Sequence, residues 1–345
     1  KLGNRNLIIN GAMQVSQRGT SETGVTGDGY YTVDRARLDL NSLGTYTVTQ
    51  STDAPEGFSN SFKVECTTKQ ESPGSGAYFV YMQRIEGQNL QMLKKGTSNA
   101  EQVTVSFYVK SDKTGDYTLG LNDRDNSRNN SKRYTISSAN TWEYKTLTFE
   151  ADTTGTFDND NAESLRLDFW LASGSDFNSG TLQTGWESTV NANRAVGNVN
   201  LSDTVGNNWS ITGLQLEVGN TATPFEHRSY GDELARCQRY FYAHNCADTY
   251  NMVAHGHYGS STLFIGLHAA PVPFRAVPSL TTSGSFEVAG DSASQDVTAI
   301  SISDIASGNT TLQVRATVSG GLSGEGSFLR NKNDATAKFE LSSEL

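Results

Sequence analysis

Trp209–Tyr242 reads WSITGLQLEVGNTATPFEHRSYGDELARCQRYFY, and its periodicity changes midway. From Ile211 to Val218 apolar residues alternate with polar ones, Leu214, Leu216 and Val218 against Gln215 and Glu217, with a slip at Gly213. That is the pattern of a β-strand carrying a bulge. Beyond Pro224 the spacing lengthens. Ser229 stands where a helix cap would, Asp232 follows as in a capping box, and Leu234, Cys237 and Phe241 recur at helical spacing. The stretch predicts the last strand of a β domain followed by a short helix, which is marginal in water by itself and must pack its apolar stripe.

The flanking sequence fits that hinge. A chain of 345 residues exceeds what one core usually serves, so two domains are expected. Gly, Ser, Thr and Asn abound while Pro and Met are scarce, which favours many short strands joined by polar turns. The expected class is mainly β. A net charge of −10 offers no basic stripe for phosphates and argues against nucleic acid and anionic membrane surfaces as partners. No apolar run approaches the ~18 residues of a membrane span, so membrane insertion is not expected. The start at Lys1, without the design of a secretion signal, leaves room for an upstream anchor. Cys66, Cys237 and Cys246 fit neither a disulfide framework nor a zinc ribbon and read as reduced thiols, as expected of assembly in a cytoplasm.

Alternation places strands at Val103–Lys110 and Leu165–Leu171, and further ones at Phe62–Thr67, Ala77–Ile85 and Trp142–Glu150. The polar stretches from Asn122 to Arg133 and from Ala151 to Ser164 read as turns. Residues 1–226 are therefore expected to form a jelly-roll or related sandwich, 227–242 a connecting helix, and 243–345 a small C-terminal β-sandwich. Apolar runs at Thr262–Leu267, Phe286–Ala289 and Ala337–Leu341 mark its strands, and the stretches around Asp291–Gln295 and Ser319–Ser327 read as contact loops.

Three stretches together resemble a signature of tailed-bacteriophage tail-fibre and virion appendage proteins, those of marine phages among them. They are ITGLQLEVGNTATPFEHRSYGDELARCQRYF, NLIINGAMQVSQRGT (Asn6–Thr20) followed by DGYYTVDR (Asp28–Arg35), and KFELSSEL (Lys338–Leu345). They bracket nearly the whole chain. The resemblance implies a virion structural protein, made in the host cytoplasm, with carbohydrate-binding-module-like β domains used at or near host attachment. Its implied partners are other virion proteins and host cell-surface polysaccharide. A homotrimer would suit such a fibre, burying Leu234, Cys237, Arg239 and Phe241 along its axis and gaining avidity from repeated weak contacts. A purely architectural fibre or adaptor and a polysaccharide depolymerase are the alternatives. No GxSxG, HExxH or phosphate loop occurs, so an enzyme is not expected.

Sugar binding calls for flat aromatic surfaces with nearby charged or amide groups. Arg166, Asp168 and Trp170 share one side of a strand and have that chemistry, and Tyr108 and Tyr81 would extend the platform if their strands join the same sheet. The alternative is that Trp170 packs under a loop while Arg166 pairs with Asp168. His255 and His257 project together from a strand, and three chains on a threefold axis would combine them into an octahedral transition-metal set; as a lone pair they are two surface histidines. Asp158, Asp160 and Glu163 offer oxygen ligands for a structural calcium, or an ordinary solvated turn. His227, between Glu226 and Arg228, is expected to brace the strand-to-helix turn by charge-assisted hydrogen bonds.

Overall fold

The computed structural model describes residues 4–244, 246–291, 293–304 and 310–345. The chain divides into two compact units, Lys1–Glu233 together with Leu345, and Leu234–Glu344. In the first unit the strands are β1 (Ser21–Val25), β2 (Gly29–Tyr30), β3 (Arg37–Asn41), β4 (Thr45–Ser51), β5 (Ser61–Thr68), β6 (Tyr78–Glu86) and β7 (Val103–Ser111). They continue with β8 (Gly115–Asp123), β9 (Arg128–Ile136), β10 (Glu143–Phe149), β11 (Glu163–Ser173), helix α1 (Ser175–Asn178), β12 (Glu187–Ser188) and β13 (Asn208–Val218). One sheet has the order β1-β4-β5-β13-β7-β10 and the other β12-β9-β8-β11-β6-β3-β2. Val105, Phe107 and Val109 from the first and Leu165, Leu167 and Phe169 from the second meet in one core around Tyr81 and Trp209. This is the expected jelly-roll sandwich. Its turn from Asn122 is shorter than expected, because β8 and β9 pair directly and leave only 124–127 between them.

The bulge in β13 is where the alternation slipped. Its register against β7 shifts between Thr212 and Gln215, and Gly213 has φ +61°, a left-handed conformation that costs glycine little. A Cβ there would also lie 2.7 Å from the Phe58 ring. Around this strand two of the three signature stretches meet. Leu7 N–H donates to Leu216 O (2.9 Å) and Leu214 N–H to Gly11 O (2.9 Å). Arg228 donates to the carbonyls of Asn6 and Ile8, Glu226 accepts from Asn6 N–H (2.8 Å), and Glu233 accepts from Asn10 N–H (2.9 Å). Asn10 reaches on to Val15 O (2.8 Å) and Asp34 O (3.0 Å). Two segments some two hundred positions apart thus satisfy each other's buried polar groups, which makes the signature a structural knot.

Helix α2 (Tyr230–Gln238) begins as the capping box implies, with Asp232 N–H donating to Ser229 Oγ (3.2 Å). The unit division falls inside it. The second unit contains β14 (Phe241–His244), β15 (Met252–Ser260), β16 (Leu263–Ala269), β17 (Ser279–Ser283) and β18 (Phe286–Gly290). β19 (Ser294–Asp296), β20 (Ala299–Asp304), β21 (Thr311–Thr317), β22 (Gly326–Asn331) and β23 (Lys338–Ser342) complete it. A three-stranded sheet, β14-β23-β17, and a seven-stranded one, β19-β18-β22-β15-β16-β21-β20, share a core of Phe264, Phe274, Val288, Val314, Leu329 and Phe339. This is the small C-terminal sandwich. Ser294–Asp296, expected in a loop, is instead an edge strand paired with β18; Ser292 lies outside the described residues.

Candidate functional site

Arg166, Asp168 and Trp170 do share one face of β11, but that face is covered. Arg166 Nε lies 2.6 Å from Asp168 Oδ1, and Arg194 reaches Asp168 Oδ2 at 2.7 Å from the other side. The Arg194 guanidinium sits 5.0 Å over the Trp170 ring, and Trp170 packs with Val80, Met82 and Ala195, only 2% exposed. Burial pushes the Arg166 and Arg194 side chains toward losing their proton, and Asp168 opposes this, restoring Arg166 above its ordinary value while Arg194 stays below. The triad is a buried ion cluster beneath the 174–199 segment. Tyr81 points the other way, into the core, with its hydroxyl accepting from Gln83 (2.8 Å). Neither Trp170 nor Tyr81 offers a ring to a ligand, because alternate residues of β6 and β11 face opposite sides of a sheet closed on both.

Tyr108 lies in the other sheet. There it belongs to a row of aromatic rings across the outer face. β10 pairs with β7 so that Tyr144 stands opposite Tyr108 and Thr146 opposite Ser106, on the side away from core residues Phe107 and Val109. Tyr108 and Tyr144 have centroids 4.9 Å apart, Tyr108 and Phe58 5.5 Å, and Phe58 and Phe225 5.1 Å. His227 closes the row, 5.2 Å from Phe58 and 4.9 Å from Phe225. Tyr144 is 47% exposed, and Tyr108, Phe58 and Phe225 are half-buried. Beside the row, Trp142 Nε1 donates to Asp53 (3.1 Å), Lys110 pairs with the same carboxylate, and the Lys110 ammonium lies 5.4 Å over the Trp142 ring. The Lys110 hydrogen bond holds the Asp53 carboxyl below its usual range. A ridge of rings edged by hydroxyls and a self-neutralised ion pair can stack on the apolar faces of a neutral polyhydroxylated ligand.

His227 accordingly has a different place from the one expected. Its ring packs with Phe58 and Phe225, and Glu226 and Arg228 make the charge-assisted hydrogen bonds. Trp142 and Tyr144 were within reach of sequence reading, since TWEYKTLT alternates; Phe58 and Phe225 come from connecting segments and carry no periodicity.

The remaining expected sites are dispersed. Asp160 Oδ1 accepts from Ala162 N–H, while Glu163 faces Arg84 and Arg124, so these carboxylates are taken up by the chain and do not converge with Asp158 on a calcium. His255 and His257 are both exposed on one face of β15, opposite Leu267 and Ile265 of β16. Among the described residues no group of three or more His, Cys, Asp or Glu side chains could hold a metal. Of the expected trimer stripe, Leu234 is half-buried, Cys237 is fully buried, and Phe241 is 3% exposed and lies in β14, past the end of the helix. The Arg239 carbonyl accepts from Arg275 N–H and Ser343 Oγ. Cys237 and Phe241 are therefore already buried within a single chain, while Leu234 and Arg239 stay partly open, because the helix stops at Gln238 and the chain enters a sheet.

No protein-family model matches the chain, and no curated protein does. Among solved structures it is similar to the enzymatically active domain of tailspike protein 4 of bacteriophage CBA120, at 15% identity and a TM-score of 0.32 over 62% of this chain. That match spans 21% of the tailspike chain. It is also similar to the CBM22-1 xylan-binding domain of Paenibacillus barcinonensis Xyn10C, at 12% identity and a TM-score of 0.26 over 60% of this chain and 93% of that one. The family 11 carbohydrate-binding module of Lic26A-Cel5E from Clostridium thermocellum gives 10% identity and a TM-score of 0.29, over 59% and 99%.

Proposed function

We propose that this chain is a non-catalytic, glycan-recognising component of a bacteriophage appendage, and that the ridge of Tyr144, Tyr108, Phe58 and Phe225 is where the glycan lies. The observation that carries the reading is the ridge itself: two rings on paired strands, continued by two from connecting segments and kept partly open to solvent. A contiguous row of rings left partly open to solvent marks an interaction surface. The appendage role is supported by the signature stretches, and a homotrimer would multiply weak contacts without new chemistry.

The test is affinity electrophoresis and glycan-array binding of the purified chain. Wild type is expected to be retained by a neutral polysaccharide, and Tyr144→Ala and Trp142→Ala to lose about tenfold in affinity or more, as one to two stacking contacts of roughly 1 kcal/mol each would give. Tyr144→Ala removes an exposed ring and is expected to melt like wild type, whereas Trp142→Ala also removes the indole hydrogen bond to Asp53 and is read beside its own melting curve. Unchanged retention by a Tyr144→Ala/Trp142→Ala double variant would overturn the site, and new reducing ends on the polysaccharide would overturn the non-catalytic role.

A further inference from the structure

The first sandwich encloses a second constellation that the ridge does not use. Lys95, in the connection before β7, is 7% exposed, and its side chain points inward to Asp123 at the end of β8 and Asp152 in the loop after β10. The Lys95 Nζ donates to Asp123 Oδ2 at 2.5 Å and to the carbonyls of Thr154 (2.9 Å) and Gly155 (2.8 Å). Asp152 Oδ2 is 3.0 Å from the same nitrogen. The rings of Phe157 and Trp186 lie 5.1 and 5.6 Å from it. On the far side, Asn126 donates its backbone N–H to Asp123 Oδ1 (3.0 Å) and its amide to both carboxylate oxygens (3.2 and 3.0 Å).

We propose that Lys95 and Asp123 join covalently, through an amide between Nζ and the Asp123 side-chain carbon, with Asp152 shuttling the proton. Each component of such a condensation is in place. Holding amine and carboxyl in contact within a rigid fold supplies effective molarities of order 10⁵–10⁸ M. Asp152 is within hydrogen-bond reach of that proton and is held in position by Arg128 through Nε (2.8 Å) and Nη2 (3.0 Å). Burial raises the Asp152 carboxyl, but the Arg128 and Lys95 hydrogen bonds outweigh it, so Asp152 begins as the carboxylate that accepts. The Asn126 donors face the oxygens on which charge develops when the nitrogen attacks.

The balance is that of a dehydration. The Lys95 ammonium gives one proton to Asp152, and the free amine adds to Asp123 Cγ, forming the C–N bond. Asp152 returns its proton to the departing oxygen, which takes a second from the nitrogen and leaves as water as the C–O bond breaks. Ammonium and carboxylate become a neutral amide, Asp152 ends as it began, and no oxidant or cofactor takes part. A partly open cavity of about 20 Å³, lined by Lys95, Asp152, Leu121, Phe157 and Trp186, adjoins the lysine. That is room for one water molecule.

The deciding measurement is the intact mass of the purified full-length chain, followed by tryptic peptide mapping. The wild-type chain is expected one water lighter than its sequence, with a branched peptide joining Lys95 to Asp123. Lys95→Arg, which keeps the charge and the ion pairs, and Asp123→Asn are expected at their full sequence masses or, for Asp123→Asn, lighter by ammonia if the amide serves as leaving group. Asp152→Asn is expected at full mass although both reacting residues remain. Wild type at full sequence mass after prolonged incubation would overturn the proposal and leave an ion pair only. A lost water mapping elsewhere would do the same, and a cross-link persisting in Asp152→Asn would overturn the role of that residue.

Discussion

The first unit buries whole clusters of ion pairs, and the second, beside its Glu287–Arg330 pair, places two imidazoles among rings. In the first sandwich, Lys95, Asp123, Asp152 and Arg128 are buried together, as are Arg166, Asp168 and Arg194, and each charge has an opposite one within about hydrogen-bond distance. In the second, His268 is buried and His244 half-buried among rings. Their centroids are 5.6 Å apart, with Tyr242 and Phe339 packed beside them, and their Nδ1 atoms meet the Tyr242 hydroxyl (3.2 Å) and the Val253 carbonyl (2.7 Å). Burial pushes both imidazoles below their ordinary titration range, and for His244 the nearby His268 adds to it. In the first case burial is offset by an opposite charge, whereas the imidazoles answer burial by favouring the neutral form.

That contrast can be broken at its strongest point by removing one member of the compensated cluster. Lys95→Met leaves Asp123 and Asp152 buried with only Arg128 and Asn126 to answer them, and is expected to cost about 3–5 kcal/mol in chemical denaturation of the first unit. A loss below 1 kcal/mol would mean that water reaches the carboxylates.

A smaller effect is expected from acid on the second unit. A histidine whose folded pKa is depressed binds fewer protons folded than unfolded. Its stability contribution is therefore intact above the unfolded value of about 6.5 and is lost as pH falls below it. The second unit should melt at lower temperature at pH 5 than at pH 7.5, and His268→Phe should flatten that dependence. A dependence unaltered by His268→Phe would assign the acid sensitivity to other groups. The smallest effect sharpens the comparison at the ridge: Gly213→Ala must hold a Cβ at φ +61° against the Phe58 ring and should cost about 1 kcal/mol, measured by thermal melting, with weaker glycan retention if Phe58 is displaced.

The strands were legible because burial on one face imposes a period of two, and Val103–Lys110 and Leu165–Leu171 show it without ambiguity. So were the bulge at Gly213 and the cap at Ser229, since both depend on residues within a few positions. The binding face was not legible in the same way. Alternation put Arg166, Asp168 and Trp170 on one side of β11, but whether that side meets solvent depends on 174–199 folding across it. Phe241 continued the helical spacing of Leu234 and Cys237, yet pairing with β23 draws it into a strand. Tertiary pairing outweighed local periodicity there, as it commonly does at the end of a short helix.

The sequence by itself determined the mainly β class, the break between a large and a small sandwich, and the individual strands, because these follow from local alternation and turn chemistry. Only the tertiary structure decided which rings remain open, that two of the signature stretches knot together, and that Lys95 meets Asp123 and Asp152. Those are contacts between residues far apart in the chain, and no local pattern records which of two faces another segment will cover.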